Sequence, residues 1–179
     1  MLILLIAHPG VAEIREQVTT RYQRHGVDRS YTFDIVVRMR DGWVEAIAVK
    51  GKEEELAADD TCGTLRAIHA QHGARFANAY RAITYEKLDP IALKNAELIL
   101  RCGGDRDIEG QTQVREALAD LPATVTPREI GDATKLGRRG IRAAFALVQA
   151  GILMPPPGQE LDPDLPLENR ASATGNYAP

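Results

Sequence analysis

The stretch YTFDIVVRMRDGWVEAIAVK, residues 31–50, decides how the chain is read. Tyr31, Phe33, Ile35, Val37 and Met39 recur with the period of two that lays one face of a β-strand on a core. Asp41-Gly42 supplies a turn, and a second strand runs from Trp43 to Lys50 with Trp43, Ile47 and Val49 on its apolar face. Two registers compete. A two-residue loop pairs Asp34 with Val49 and sends Lys50 to the other face. A three-residue loop, Arg40-Asp41-Gly42 with Gly42 left-handed, pairs Asp34 with Ala48 and Thr32 with Lys50. The second register is expected. It sets Phe33, Ile35 and Val37 opposite Val49, Ile47 and Glu45, and so gathers the apolar set on one side. Asp34 and Lys50 then become diagonal neighbours on the opposite side. Such a pair suits phosphate chemistry: the carboxylate can hold a divalent cation, and the ammonium can orient water or steady charge building on a phosphate. The same pair could equally be a cross-strand ion pair worth under about 1 kcal/mol.

Outward from this hairpin, about Glu16 to Arg24 reads as a further strand ending at the polar turn His25-Gly26. Glu53 to Gln71 carries Leu56, Leu65 and Ile68 at helical spacing, with a break expected near Thr61 to Gly63. Phe76 to Ile83 reads as a short strand. Asp89-Pro90 opens a helix toward Cys102, and Gly103-Gly104 stops it. Residues 1–103 therefore form one α/β domain.

Residues 106–154 are expected to be wholly helical. Ile108 to Leu121 is one helix, ended by Pro122. Thr126-Pro127-Arg128-Glu129 is a capping box that opens a second helix, reaching about Thr134. Lys135-Leu136-Gly137 is a tight turn, and a third helix runs from Arg138 to Ala150 with Ile141, Phe145 and Val148 inside. Helix, glycine-containing turn, helix is the shape of a helix-turn-helix. Lys135, Arg138, Arg139 and Arg142 stand where a recognition helix meets phosphates and base edges, and are the candidate DNA-binding residues. Between Leu121 and Met154 there are five basic residues and two acidic ones. The alternative is a small three-helix module with merely solvated arginines. From Pro155 to Pro179 the chain is proline-rich and acidic, which predicts an extended tail, disordered or laid along the surface.

Composition limits the partners. In 179 residues, 22 basic and 25 acidic side chains leave a net charge of −3, so a strongly basic coat for nucleic acid is excluded while a local patch is not. Cys62 and Cys102 cannot build a four-cysteine zinc site or a disulfide framework, and read as reduced thiols of a cytoplasmic protein. Met1 to Ala7 is apolar but too short to span a membrane, and no basic residue precedes it as in a secretory signal. His8, His25, His69 and His72 show no metal-ligand spacing, and Gly103-Gly104 is followed by no Lys-Ser or Lys-Thr that would make a phosphate loop.

Tyr31-Thr32-Phe33-Asp34, the Asp41-Gly42 turn and Ala46-Ile47-Ala48-Val49-Lys50 together resemble the PD-(D/E)xK nuclease core, most of all that of the TnsA-type transposon endonucleases. Val11 to Val18, with Glu16-Gln17, is similar to the stretch leading into that family's first strand. The resemblance covers about residues 1–103. It implies a restriction-endonuclease-like mixed sheet flanked by helices, followed here by the small all-α helix-turn-helix domain; the family carries a winged helix at that place. It implies a metal-dependent DNA endonuclease of a transposition system, using Mg²⁺ or Mn²⁺, acting on double-stranded DNA beside a DDE-type transposase subunit. Asp34 matches the metal-binding aspartate and Lys50 the catalytic lysine. Two positions depart from the pattern. Ala48 stands where an acid or amide two residues before the lysine belongs, and no glutamate matches the ligand on the helix before the first strand. These departures leave three readings: a site completed by DNA phosphate, a non-catalytic DNA-binding or scaffold protein on a degenerate nuclease fold, or a start codon placed too late. Ile152-Leu153-Met154-Pro155-Pro156 stands where a wing would start and predicts no full wing.

Overall fold

β-branched residues alternating with polar ones extend Val11–Arg24 (β1), Val27–Met39 (β2) and Val44–Lys50 (β3) into an antiparallel meander. The computed structural model describes residues 1–171. β1 begins at Val11, so the stretch before Glu16 is already strand. His25 and Gly26 join β1 to β2 with φ of 54° and 76°, the two left-handed residues of a tight hairpin turn. β2 and β3 pair Ile35 with Ile47, Val36 with Ala46, Val37 with Glu45 and Arg38 with Val44. Met39 N–H donates to Trp43 O at 2.8 Å around the loop Arg40-Asp41-Gly42, and Gly42 has φ +89°. The three-residue register is therefore the one formed. Its ladder stops at Ile35 and Ile47, short of the expected pairs Asp34–Ala48 and Thr32–Lys50.

The chain leaves β3 through Glu53–Ala58 (α2) and Thr61–His72 (α3), broken at Asp59-Asp60 where Asp60 is left-handed. Ala79–Thr84 (β4) then returns parallel to β3, pairing from Glu45 with Ala79 to Lys50 with Thr84. The sheet order is β1-β2-β3-β4. Leu65 and Ile68 of α3 cover one face, in a core with Tyr22, Phe33, Val36, Ala46, Ala48 and Ala77. Each large apolar side chain there contributes about 1.5–3 kcal/mol. Phe33 and Val36 share this core although they lie three residues apart. The alternation predicted to put Phe33, Ile35 and Val37 on one face therefore slips around Asp34.

The second compact unit comprises Leu2–Pro9 and the chain from Asp89 onward; the first spans Gly10–Leu88. The division falls at Leu88/Asp89 instead of after residue 103. Asp89 caps Pro90–Gly104 (α4) by accepting from Ile91 N–H at 2.9 Å. Ala96, Ile99 and Cys102 of α4 bury into the second core, to which Leu2–Ala7 (α1) adds Ala7. Ile108–Ala117 (α5), Pro127–Ala133 (α6) and Arg138–Gln149 (α7) follow. The capping box forms in both directions, Thr126 Oγ1 accepting from Glu129 N–H and Glu129 Oε2 from Thr126 N–H. Residues 143–148 of α7 are all buried, so this helix is the centre of the unit's core.

Two expectations are corrected here. Residues 106–154 are not wholly helical, and the second domain is not all-α. Thr124–Val125 (β5), Leu153–Met154 (β6) and Leu167–Asn169 (β7) form a sheet in the order β5-β7-β6. The proline-rich segment from Pro155 is not a tail, because it joins β6 to β7. Asn95 of α4 grips that connection, donating from Nδ2 to Gln159 O and accepting at Oδ1 from Leu161 N–H, both at 2.8 Å. Leu161, Leu165 and Leu167 are buried. Side chains from α4 thus supply the polar partners that proline backbone cannot. Residues 172–179 of the expected tail lie outside the described residues.

Candidate functional site

Asp34 sits where β2 parts from β3. Its Oδ2 accepts from Val49 N–H at 2.7 Å, in place of a further rung of the ladder, and its Oδ1 receives a long contact from Gln17 Nε2 at 3.4 Å. Gln17 stands between the paired residues Glu16 and Val18, which face Ile35 and Phe33, and has φ +53°. A left-handed non-glycine residue inside a strand costs about 1–2 kcal/mol and marks a place where the backbone is held off its ordinary path. The turn of Gln17 and the slip at Asp34 face each other, so both strands change phase together without losing register.

Lys50 does not bond Asp34. Its Nζ donates to Asp59 Oδ2 at 2.6 Å, across the loop between α2 and α3. That hydrogen bond, against some desolvation, raises the Lys50 pKa, and Tyr31 and Asp34 add attraction. An ammonium held this way keeps its proton at neutral pH. It can steady a phosphate or orient water; it is poorly suited to remove a proton. Tyr31 completes the group, its phenol pushed up by burial first, with the Asp34 and Asp59 charges adding and Lys50 opposing. A cleft of about 590 Å³ on the same unit is lined by residues including Cys62, Arg66, His69, Tyr80 and Lys87, but by neither Asp34 nor Lys50.

The donor set does not fit Mg²⁺ or Mn²⁺ by itself. Asp34 is a single carboxylate with one oxygen already bonded, and Ala48 is fully buried with no donor to offer. Among the described residues no group of three His, Cys, Asp or Glu comes together around a metal position.

At the other candidate site the four basic residues divide. Arg139 is gripped by Asp107, Nε to Oδ2 and Nη2 to Oδ1 at 2.7 Å each, and also reaches Glu109 Oε2 at 2.8 Å. Arg142 holds Asp105 in the same two-pronged way at 2.5 and 2.8 Å. Arg128, at the start of α6, is likewise paired with Asp164 at 2.5 and 2.8 Å. These bonds raise all three arginine pKa values. The Arg139 guanidinium and then the Gly110 N–H lower Asp107 to about 2. Lys135 and Arg138 are exposed and make no ion pair among the described residues. α6 and α7 approach closely: a Cβ on Gly140 would lie 2.9 Å from Gly131 Cα, and Gly137 N–H donates to Gly131 O at 2.9 Å.

Sequence reasoning missed Gln17, Asp59, Asp105, Asp107, Glu109 and Asp164. The alternating acids Asp105, Asp107 and Glu109 were a visible signal, since they run from just before α5 into its first turn. No family model matches the chain, and no curated protein matches it in sequence.

Proposed function

We propose that the chain binds double-stranded DNA without cutting it, as a nuclease-like subunit working beside a DDE-type transposase. The observation that carries this reading is the order of the second unit. α5, β5, α6, α7, β6 and β7 follow one another, and β7 lies between β5 and β6. That order supports a winged-helix reading, against the expectation of no full wing: α7 would be the recognition helix, with Lys135 and Arg138 exposed at its entry and residues 155–166 as the wing. The first unit supports the nuclease-like part. Three antiparallel strands, a helix and a parallel fourth strand are the layout expected of a restriction-endonuclease-like core, and the resemblance to TnsA-type enzymes supplies the roles proposed for Asp34 and Lys50 on that sheet. Loss of cleavage follows from the donor set. One carboxylate, tied to Val49, faces an ammonium tied to Asp59.

A second reading, the metal-dependent endonuclease, is favoured by one observation: Asp34 and Lys50 lie close enough for the carboxylate to raise the lysine's pKa. DNA phosphate would then have to supply the missing ligands. One experiment separates the two. A short labelled duplex is titrated with protein between about 50 and 200 mM salt, and cleavage is followed with Mg²⁺ and with Mn²⁺. Salt-sensitive binding without cleavage is expected. Cleavage that disappears in Asp34→Asn restores the endonuclease, and absence of binding at the lowest salt refutes both.

A further inference from the structure

We infer that the acidic segment Asp105–Glu109 is a built-in competitor for DNA, occupying the arginines of α7 that phosphate would otherwise contact. This rests on the DNA-binding reading above. Arg139 and Arg142 project from the first turns of α7, beside the turn that carries Lys135 and Arg138. Both are held by carboxylates of the connection between α4 and α5 and of the first turn of α5, through five hydrogen bonds of 2.5–2.8 Å. A carboxylate gripping Nε and Nη2 copies the fork that a phosphate would use. The competitor is tethered within the same compact unit, so its effective concentration is far above that of any DNA site.

The charge balance agrees. Arg139 and Arg142 are matched by Asp105, Asp107 and Glu109, so only Lys135 and Arg138 are left to present positive charge at the start of α7. Acidification is a poor release signal, because Arg142 lowers the Asp105 pKa below the usual carboxylate range and Arg139 lowers that of Asp107 to about 2. Release requires a better anion, and a duplex offering several phosphates in a row is one. Such a gate keeps weak non-specific binding low and lets a site held by other contacts, or by a partner protein, take the arginines over.

The test uses the full chain and a double variant, Asp105→Asn with Asp107→Asn. Asparagine keeps the shape and can still cap α5, where Asp107 Oδ1 accepts from Gly110 N–H at 3.0 Å. A second double variant, Glu116→Gln with Asp120→Asn, removes the same charge from exposed positions away from the arginines. Thermal melting checks that each protein is folded; should the first pair fail that check, Glu109→Gln is measured in its place. Fluorescence anisotropy with a duplex of arbitrary sequence is then read against salt. Freeing two arginines should tighten binding about tenfold and steepen the log–log salt slope by about 1.8, near 0.9 for each added phosphate. The control pair should do neither. Equal tightening in both variants means that net charge alone acts and overturns the inference. Unchanged or weaker binding in the loop variant, with wild-type binding measurable, overturns it and leaves the DNA-binding reading standing. No binding by any of the proteins at the lowest salt overturns both.

Discussion

Replacing Asp34 with alanine tests whether its carboxylate belongs to the fold or to a ligand. Val49 N–H donates to Asp34 Oδ2 at 2.7 Å in a part-buried position where the ladder between β2 and β3 has already ended. Truncation removes that acceptor, and the N–H loses its bond to Asp34. A buried donor left unpaired costs about 1–3 kcal/mol, and partial solvent access brings the expected loss to the lower half of that range. Asp34→Asn offers an oxygen to the same N–H and gives up only the extra strength of a charged acceptor, about 1 kcal/mol. The expected order of stability is therefore wild type, then Asn, then Ala. Trp43, the only tryptophan, follows the loop between β2 and β3 and reports on this unit. Urea titration of its fluorescence gives the midpoints, and an unchanged slope confirms that the same unfolding is compared. An Asp34→Ala protein as stable as wild type would show that the carboxylate carries no part of the fold. It would then be free to serve a metal or a phosphate-bound ion, and the non-cleaving proposal would lose its main support.

Gly140→Ala should destabilise the second unit by about 1–2 kcal/mol. Its Cβ would meet Gly131 Cα at 2.9 Å, and the cost of overpacking exceeds the roughly 1 kcal/mol that alanine gains over glycine in a helix. Gly104→Ala, at the last position of α4, has open space around it and should be neutral to about 1 kcal/mol stabilising in the same melting experiment. Acid stability should show the Asp107–Arg139 pair. The folded pKa of about 2 lies below the unfolded value of about 3.9, so the pair's contribution is complete above pH 4 and is lost as pH falls through 2. Denaturant midpoints measured across that window should fall more steeply for wild type than for Asp107→Asn, and superimposed curves would mean that the pair does not persist in solution.

The hairpin register was legible because two independent constraints agreed. Gly42 suits the left-handed place in a three-residue loop, and the apolar residues needed a common face. The capping box at Thr126 was legible for a similar reason, since both of its hydrogen bonds are local. What failed was non-local. Period-two alternation predicts where Phe33 faces only if the strand keeps its phase, and the left-handed Gln17 breaks that phase from the neighbouring strand. Proline content marked residues 155–171 as unable to hold themselves in place, which is correct for the segment alone. Asn95, some sixty residues earlier, supplies the missing bonds, and the buried leucines 161, 165 and 167 were there to be read as a core signal within the tail.

The candidate DNA-binding surface shows why counting charges in a window misleads. Five basic residues against two acidic ones, from Leu121 to Met154, describe a basic patch only if each cation faces water. Arg128, Arg139 and Arg142 instead meet Asp164, Asp107 and Asp105, all of which lie outside that window. The free cations left are Lys135 and Arg138. Bidentate pairing needs a guanidinium and a carboxylate set in line, and three such pairs form within the second unit. If they existed only for stability, hydrophobic packing of similar volume would have served as well, because exposed ion pairs contribute little to folding. Their common feature is that each carboxylate grips its arginine through two hydrogen bonds, the fork that a phosphate would also use. That geometry is what the proposed competition requires of Asp105 and Asp107: an acid that holds each arginine until a duplex offering several phosphates displaces it.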